Sequence, residues 1–255
     1  MPKAAPWAPR AVDRALAASL GPGSAFLPHG DGWVHVTGAV GPGRRPLLDL
    51  AQAIWERDPG QARAALRPRV RLTDPVDPVD RAIADVVARR TAFVAGEAGA
   101  TVASDDLSAF AARARARAVA ATVDPGQRRV PADQAGWLAA LVPTGAEGPL
   151  AVRDRPVVAV LVDPAGFVHR ATRNAAGTNR TLHAEICLVQ GFGAIPAGWT
   201  VLTSLQSCRM CAAILVEAAT GPIDVAFLEA DPGRLATRTA LQARGWERAL
   251  GDAAP

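Results

Sequence analysis

Cysteine is scarce in this 255-residue chain: there are three, Cys187, Cys208 and Cys211, and two of them share one Cys-x-x-Cys. An odd count distributed in this way excludes a secreted disulfide framework and favours a reducing interior. Long apolar runs are missing as well. The opening Met1-Pro2-Lys3-Ala4-Ala5-Pro6-Trp7 has no apolar core of signal-peptide length, and no later run approaches a membrane span. The expectation is a soluble cytoplasmic protein with no membrane partner. Lysine is nearly absent too, since Lys3 is the only one. The net charge of +4 and the pI of 9.7 therefore rest on arginine. That charge is thinly spread, with 16 Lys plus Arg against 13 acids up to residue 125 and 12 Arg against 11 acids from Gly126 onward. Neither half is a polycation, so the excess alone does not establish a nucleic-acid partner.

With 49% hydrophobic residues, the chain is long enough for two domains of ordinary size. The cluster Val123-Asp124-Pro125-Gly126-Gln127 marks the best division, giving domains over 1–125 and 126–255. The first half reads as mostly helical with short extended pieces. Helices are expected over Ala11–Leu20, Leu47–Glu56, Pro78–Ala95 and Asp105–Ala120, the last with Ser104 as its cap, and a strand over Gly32–Val40. In the second half a short helix near Ala132–Leu141 and a Pro/Gly loop precede a β-hairpin of Val157–Val162 and Phe167–Thr172. A helix starting near His183 follows, then a strand Trp199–Ser204, a helix Arg209–Ala219, a strand Ile223–Glu229 and a helix Gly233–Ala243. Strands alternating with helices indicate an α/β layered domain.

Chemistry concentrates in Thr181-Leu182-His183-Ala184-Glu185-Ile186 and Ser207-Cys208-Arg209-Met210-Cys211. His183, Cys208 and Cys211 can ligate Zn²⁺, and a catalytic zinc takes three protein ligands, leaving the fourth tetrahedral position to water. Ser207 can cap the helix that follows, which would put both cysteines of the pair at a helix N-terminus, where thiolates are favoured. Water at an open zinc site ionises near neutral pH and attacks an electron-poor carbon, with Glu185 shuttling its proton to a ring nitrogen and the leaving amine. One alternative is a structural-zinc module: Cys187, four residues after His183 on the same helix, could complete a closed Cys₃His site.

The spacing His183-Ala184-Glu185 with Cys208-Arg209-Met210-Cys211 is the zinc-deaminase signature, H-x-E followed by P-C-x-x-C, except that Ser207 stands where proline is usual. From about Pro131 onward the chain resembles the cytidine deaminase-like superfamily. Within it the chain is nearest to the tRNA adenosine deaminase-like nucleic-acid branch and to predicted bacterial deaminases with a separate N-terminal globular domain. The resemblance implies a three-layer α/β/α domain with a mixed sheet, here preceded by the mostly helical N-terminal domain of unknown role. It also implies a Zn²⁺ cofactor and substrate contacts at Asn174, Ala184, Ser207 and Arg209, with Asn179 as the competitor of Asn174. Gln206-Ser207 replaces the Glu-Pro usual in the family. The reaction expected is cytosine to uracil in DNA or RNA, on a single-stranded or flipped-out base. Adenosine to inosine on RNA, and deamination of free nucleosides or a small aminated heterocycle, are the alternatives.

Overall fold

The computed structural model describes residues 7–38, 41–88, 90–143, 156–175 and 179–252. The Pro/Gly loop expected after Leu141, and residues 39 and 40 of the expected first strand, fall largely or wholly outside them.

The N-terminal half opens with α1 (Ala11–Leu20), the hairpin β1 (Ser24–His29) and β2 (Gly32–Thr37), then α2 (Pro46–Arg57) and the short α3 (Ala62–Ala65). It continues with β3 (Val70–Leu72), α4 (Pro78–Val87), β4 (Thr91–Phe93), β5 (Asp105–Asp106) and α5 (Ser108–Ala120). Helical residues outnumber strand residues here, as the sequence implied. The short extended pieces nevertheless assemble into a five-stranded mixed sheet of order β4-β3-β1-β2-β5.

Two helices are shorter than the sequence suggests. α4 starts where expected, with Asp77 accepting from the Asp80 amide and Pro78 in the first turn, but it ends at Val87. Thr91–Phe93 leaves the helical path to pair in parallel with β3, so strand pairing overrides the helical period. α5 starts at Ser108, not at Asp105. Asp105 and Asp106 pair with β2, Asp106 Oδ1 accepts from the Ser108 amide, and Ser104 Oγ meets His35 Nδ1 at 3.0 Å instead of capping a helix.

The C-terminal half contains α6 (Gln134–Leu141), β6 (Val158–Val162), β7 (Val168–Arg173), α7 (Ala184–Phe192), β8 (Thr200–Leu205), α8 (Arg209–Ala218), β9 (Asp224–Glu229) and β10 (Glu247–Ala249). Its sheet has the order β10-β9-β8-β6-β7, antiparallel at β7-β6-β8 and parallel at β8-β9-β10. In place of a helix over Gly233–Ala243 there are two 3₁₀ turns, Arg234–Ala236 and Gln242–Arg244. Thr237 Oγ1 donates to Arg234 O and Thr239 Oγ1 accepts from the Gln242 amide, bonds that compete with a helical ladder. Between them Arg238 adopts φ 55°, in the left-handed region that an α-helix does not use.

Both faces of the second sheet are covered. Val158, Val160 and Val162 share an apolar cluster with Leu138 of α6, while Ala159 and Leu161, on the other face, join Ile186, Leu188 and Ile214 of α7 and α8. This is the α/β/α layering expected of the C-terminal half. The N-terminal helices then pack on the outside of α7 and α8, with α4 against α8 and α5 against α7. One buried cluster runs from Leu27 and Leu50 through Ile83 to Ile186 and Leu215, crossing the division expected at 125/126. Polar contacts cross it as well: Arg45 bridges Asp77 and Glu217, and Gln190 Nε2 donates to Gly43 O at 2.8 Å.

Candidate active site

Two helix starts build the site. α7 begins after His183 (φ −65°, ψ 158°) and α8 after Cys208 (φ −72°, ψ 167°), both extended residues at the N-cap. The helices lie on the same face of the sheet and pack on one another, so their N-termini converge. His183 Nδ1 lies 3.7 Å from Cys208 Sγ and 3.3 Å from Cys211 Sγ, and one donor atom from each residue falls within 4.8 Å of the others.

Zn–N bonds of about 2.0–2.1 Å and Zn–S bonds of about 2.3 Å, set at the tetrahedral angle, require N···S separations of about 3.6 Å. The two observed distances bracket that value, so imidazole Nδ1 and the two sulfurs fit Zn²⁺. Among the described residues no fourth His, Cys, Asp or Glu joins the group. A hydrogen bond from the Cys211 thiol, helped by His183, holds Cys208 well below the usual thiol range, whereas burial pushes Cys211 up. Metal binding would require both sulfurs as thiolates and so would release the protons they carry.

Cys187 stands outside this group. Its Sγ donates to Leu182 O at 3.6 Å within an apolar cluster that includes Ala118 and Ala121, and burial pushes its thiol up to about 12. It behaves as a small buried hydrophobe.

Glu185 is buried at 4% exposure, and its Oε1 accepts a hydrogen bond from Ser207 Oγ at 2.9 Å. Burial raises its proton affinity and the nearby Cys208 adds to this, while His183 and Ser207 act in the opposite direction. A carboxyl raised in this way suits proton transfer near neutrality. Ser207 does not take the capping role expected of it. Cys208 is the N-cap residue and has no side-chain cap bond, and the Ser207 hydroxyl, 1% exposed, is committed to Glu185.

The other expected contacts separate. Asn174 lines the cavity over the metal-binding group, and its Oδ1 accepts from the Ala184 amide at 2.7 Å, so Ala184 orients Asn174 through its main chain. Asn179 is fully buried and structural: it donates to Gln52 O on α2 and accepts from Thr181 Oγ1. Arg209 lies outside the cavity lining, bound to Asp85 Oδ2 at 2.8 Å and to Thr237 O. The cavity itself holds about 150 Å³ and includes Val157, Leu205, Gln206 and Asp231 in its walls. That is below the roughly 300 Å³ at which sites for drug-sized ligands begin.

Sequence reasoning did not find Gln206 and Asp231 as wall residues, or the Ser207–Glu185 bond. In the sequence Gln206 shows only as a departure from the family's usual glutamate, and Asp231 lies in a loop after β9 with no motif to flag it.

Searches among curated proteins and among solved structures return no match. Residues 149–252, the part that carries His183, Glu185, Cys208 and Cys211, match the family model described as Bd3614-like deaminase, a match that supports a deaminase reading of this part of the chain.

Proposed function

We propose that the protein is a zinc-dependent hydrolytic deaminase that converts cytosine to uracil in single-stranded or flipped-out nucleic acid. The observation behind this reading is the convergence of His183 Nδ1, Cys208 Sγ and Cys211 Sγ beside the buried Glu185, within the part of the chain that matches a deaminase family model. His183, Cys208 and Cys211 would hold Zn²⁺, which lowers the pKa of water so that a nucleophile is available at neutral pH.

The remaining work falls to the chain. Glu185 takes one proton from the attacking water and gives it to the ring nitrogen, then carries the second, from the hydroxyl now on C4, to the amine, which leaves as ammonia as the carbonyl forms. Ser207 holds the carboxylate in place through a hydrogen bond to Oε1. Asn174, held by the Ala184 amide, presents its carboxamide where a base edge can meet it. Val157 and Leu205 supply apolar walls for the ring.

The test is to incubate the protein with single- and double-stranded DNA, RNA and free nucleosides and to count uracil and inosine by mass spectrometry. Uracil in single-stranded nucleic acid is expected. Inosine as the main product, or conversion of free nucleosides alone, would replace this substrate assignment. No deaminated product from any substrate, with zinc bound, would overturn the reading.

A further inference from the structure

Beside the small cavity lies a larger groove of about 490 Å³, and the two share His183, Cys208 and Asp231. The groove is built by both halves of the chain. Arg63 of α3 and Arg67 just after it come from the N-terminal half, and Arg180 comes from the loop that leads to His183. Trp55, Leu66 and Leu235 contribute apolar surface to the same lining.

Several arginines elsewhere in the fold are already committed. Arg45, Arg71, Arg115 and Arg209 are each paired with a carboxylate. Among the described residues Arg63, Arg67 and Arg180 have no ion pair or side-chain hydrogen bond, and Arg63 and Arg67 are exposed. Among the described residues of the lining the one acid, Asp231, is shared with the inner cavity, and the other charged residues are the three arginines. Unpaired guanidiniums beside apolar surface suit a chain of phosphates whose sugars and bases lie against that surface.

We propose that Arg63, Arg67 and Arg180 form a phosphodiester-binding groove, through which the N-terminal half holds the nucleic-acid strand that flanks the reacting base. This rests on the deaminase reading for the inner cavity and assigns α3 and the loop after it a role in substrate binding. A base in the roughly 150 Å³ cavity would leave its 5′ or 3′ phosphates at the groove mouth.

The experiment compares the full-length protein with the Arg63→Ala/Arg67→Ala double variant and with Arg180→Ala, none of which alters the metal or proton-transfer residues. Binding of a fluorescein-labelled single-stranded oligodeoxynucleotide, and of its RNA equivalent, is followed by anisotropy across a salt series. Deamination of oligonucleotide, nucleoside monophosphate and free nucleoside is measured in parallel. The double variant should bind the oligonucleotide at least about tenfold more weakly, with the slope of log K against log salt reduced by about 1.4 for two lost phosphate contacts on a single strand. KM should rise on the oligonucleotide with kcat little changed, and activity on free nucleoside should be unaffected. Equal loss on the nucleoside monophosphate would place a terminal phosphate, not a strand, in the groove and so overturn the strand assignment. Unchanged oligonucleotide affinity and salt slope would overturn the groove while leaving the deaminase reading intact. Weaker, less salt-dependent binding with no deaminated product would support the groove and count against the deaminase reading.

Discussion

Removing the hydroxyl of Ser207 is the sharpest perturbation of the proton-transfer machinery. Ser207→Ala deletes one oxygen that is 1% exposed and bonded at 2.9 Å to Oε1 of a carboxylate that is itself 4% exposed. A hydrogen bond to a charged group contributes about 1.5–3 kcal/mol. If the bond acts mainly while Glu185 carries and releases its proton, that range corresponds to a drop in kcat of about 10- to 150-fold. KM should change little, because Ser207 lies outside the cavity lining. Zinc content should stay at the wild-type level, since the three ligating atoms are untouched. Ser207→Thr, which keeps a hydroxyl, should recover much of the loss. The assay is ammonia release under saturating substrate, with zinc measured on the same samples. A Ser207→Ala enzyme within twofold of wild type in kcat, with full zinc, would refute the role assigned to this bond.

Cys187→Ser should leave zinc stoichiometry unchanged in a chelator-titration assay, because Cys187 lies outside the ligand group; loss of zinc would revive the closed four-ligand site. Asp80, pushed up to about 6 chiefly by burial and then by Asp77, binds its proton more tightly folded than unfolded. Its contribution to stability is therefore fully present below about pH 4 and is lost as pH rises through about 6. Denaturant midpoints of wild type minus Asp80→Asn should fall over that window, and a difference flat from pH 4 to 7 would contradict it. Arg45→Met leaves Glu217 and Asp77 without their shared cation, at 16% and 37% side-chain exposure, and should lower stability by about 3 kcal/mol in urea unfolding. Residues 126–255 expressed alone should aggregate or bind the hydrophobic dye ANS, because the outer faces of α7 and α8 are buried under α4 and α5. A soluble, zinc-loaded 126–255 fragment would instead favour the division at 125/126.

The sequence was most legible where a local signal and the tertiary structure agree. Ala11–Leu20 is recovered residue for residue, and α7 and α8 start within one residue of the chemistry they present. Periodicity failed where pairing partners decide. Nothing local marks Asp105–Asp106 or Thr91–Phe93 as strands, since each is extended only because β2 or β3 offers a free edge. The segment 233–243 has helical composition, but its threonines turn onto the backbone. In the site, the grouping of His183 with Cys208 and Cys211 was readable because a shared metal would constrain both residue type and spacing. The Ser207–Glu185 bond was not, because it joins two helix starts that are 22 residues apart in sequence and meet only in the fold. The same holds for the arginine groove, whose members lie on either side of the proposed division. No helix among the described residues is long and apolar enough to cross a membrane.

The central claim is that three residues hold zinc while Glu185 moves protons without binding the metal. It is tested most directly by measuring zinc content and uracil formation on single preparations of wild type, Glu185→Ala and Cys208→Ala. Wild type should carry zinc and form uracil, Glu185→Ala should carry zinc and form none, and Cys208→Ala should lose both. Uracil formation by Glu185→Ala at the wild-type rate, or full zinc occupancy in Cys208→Ala, would contradict it.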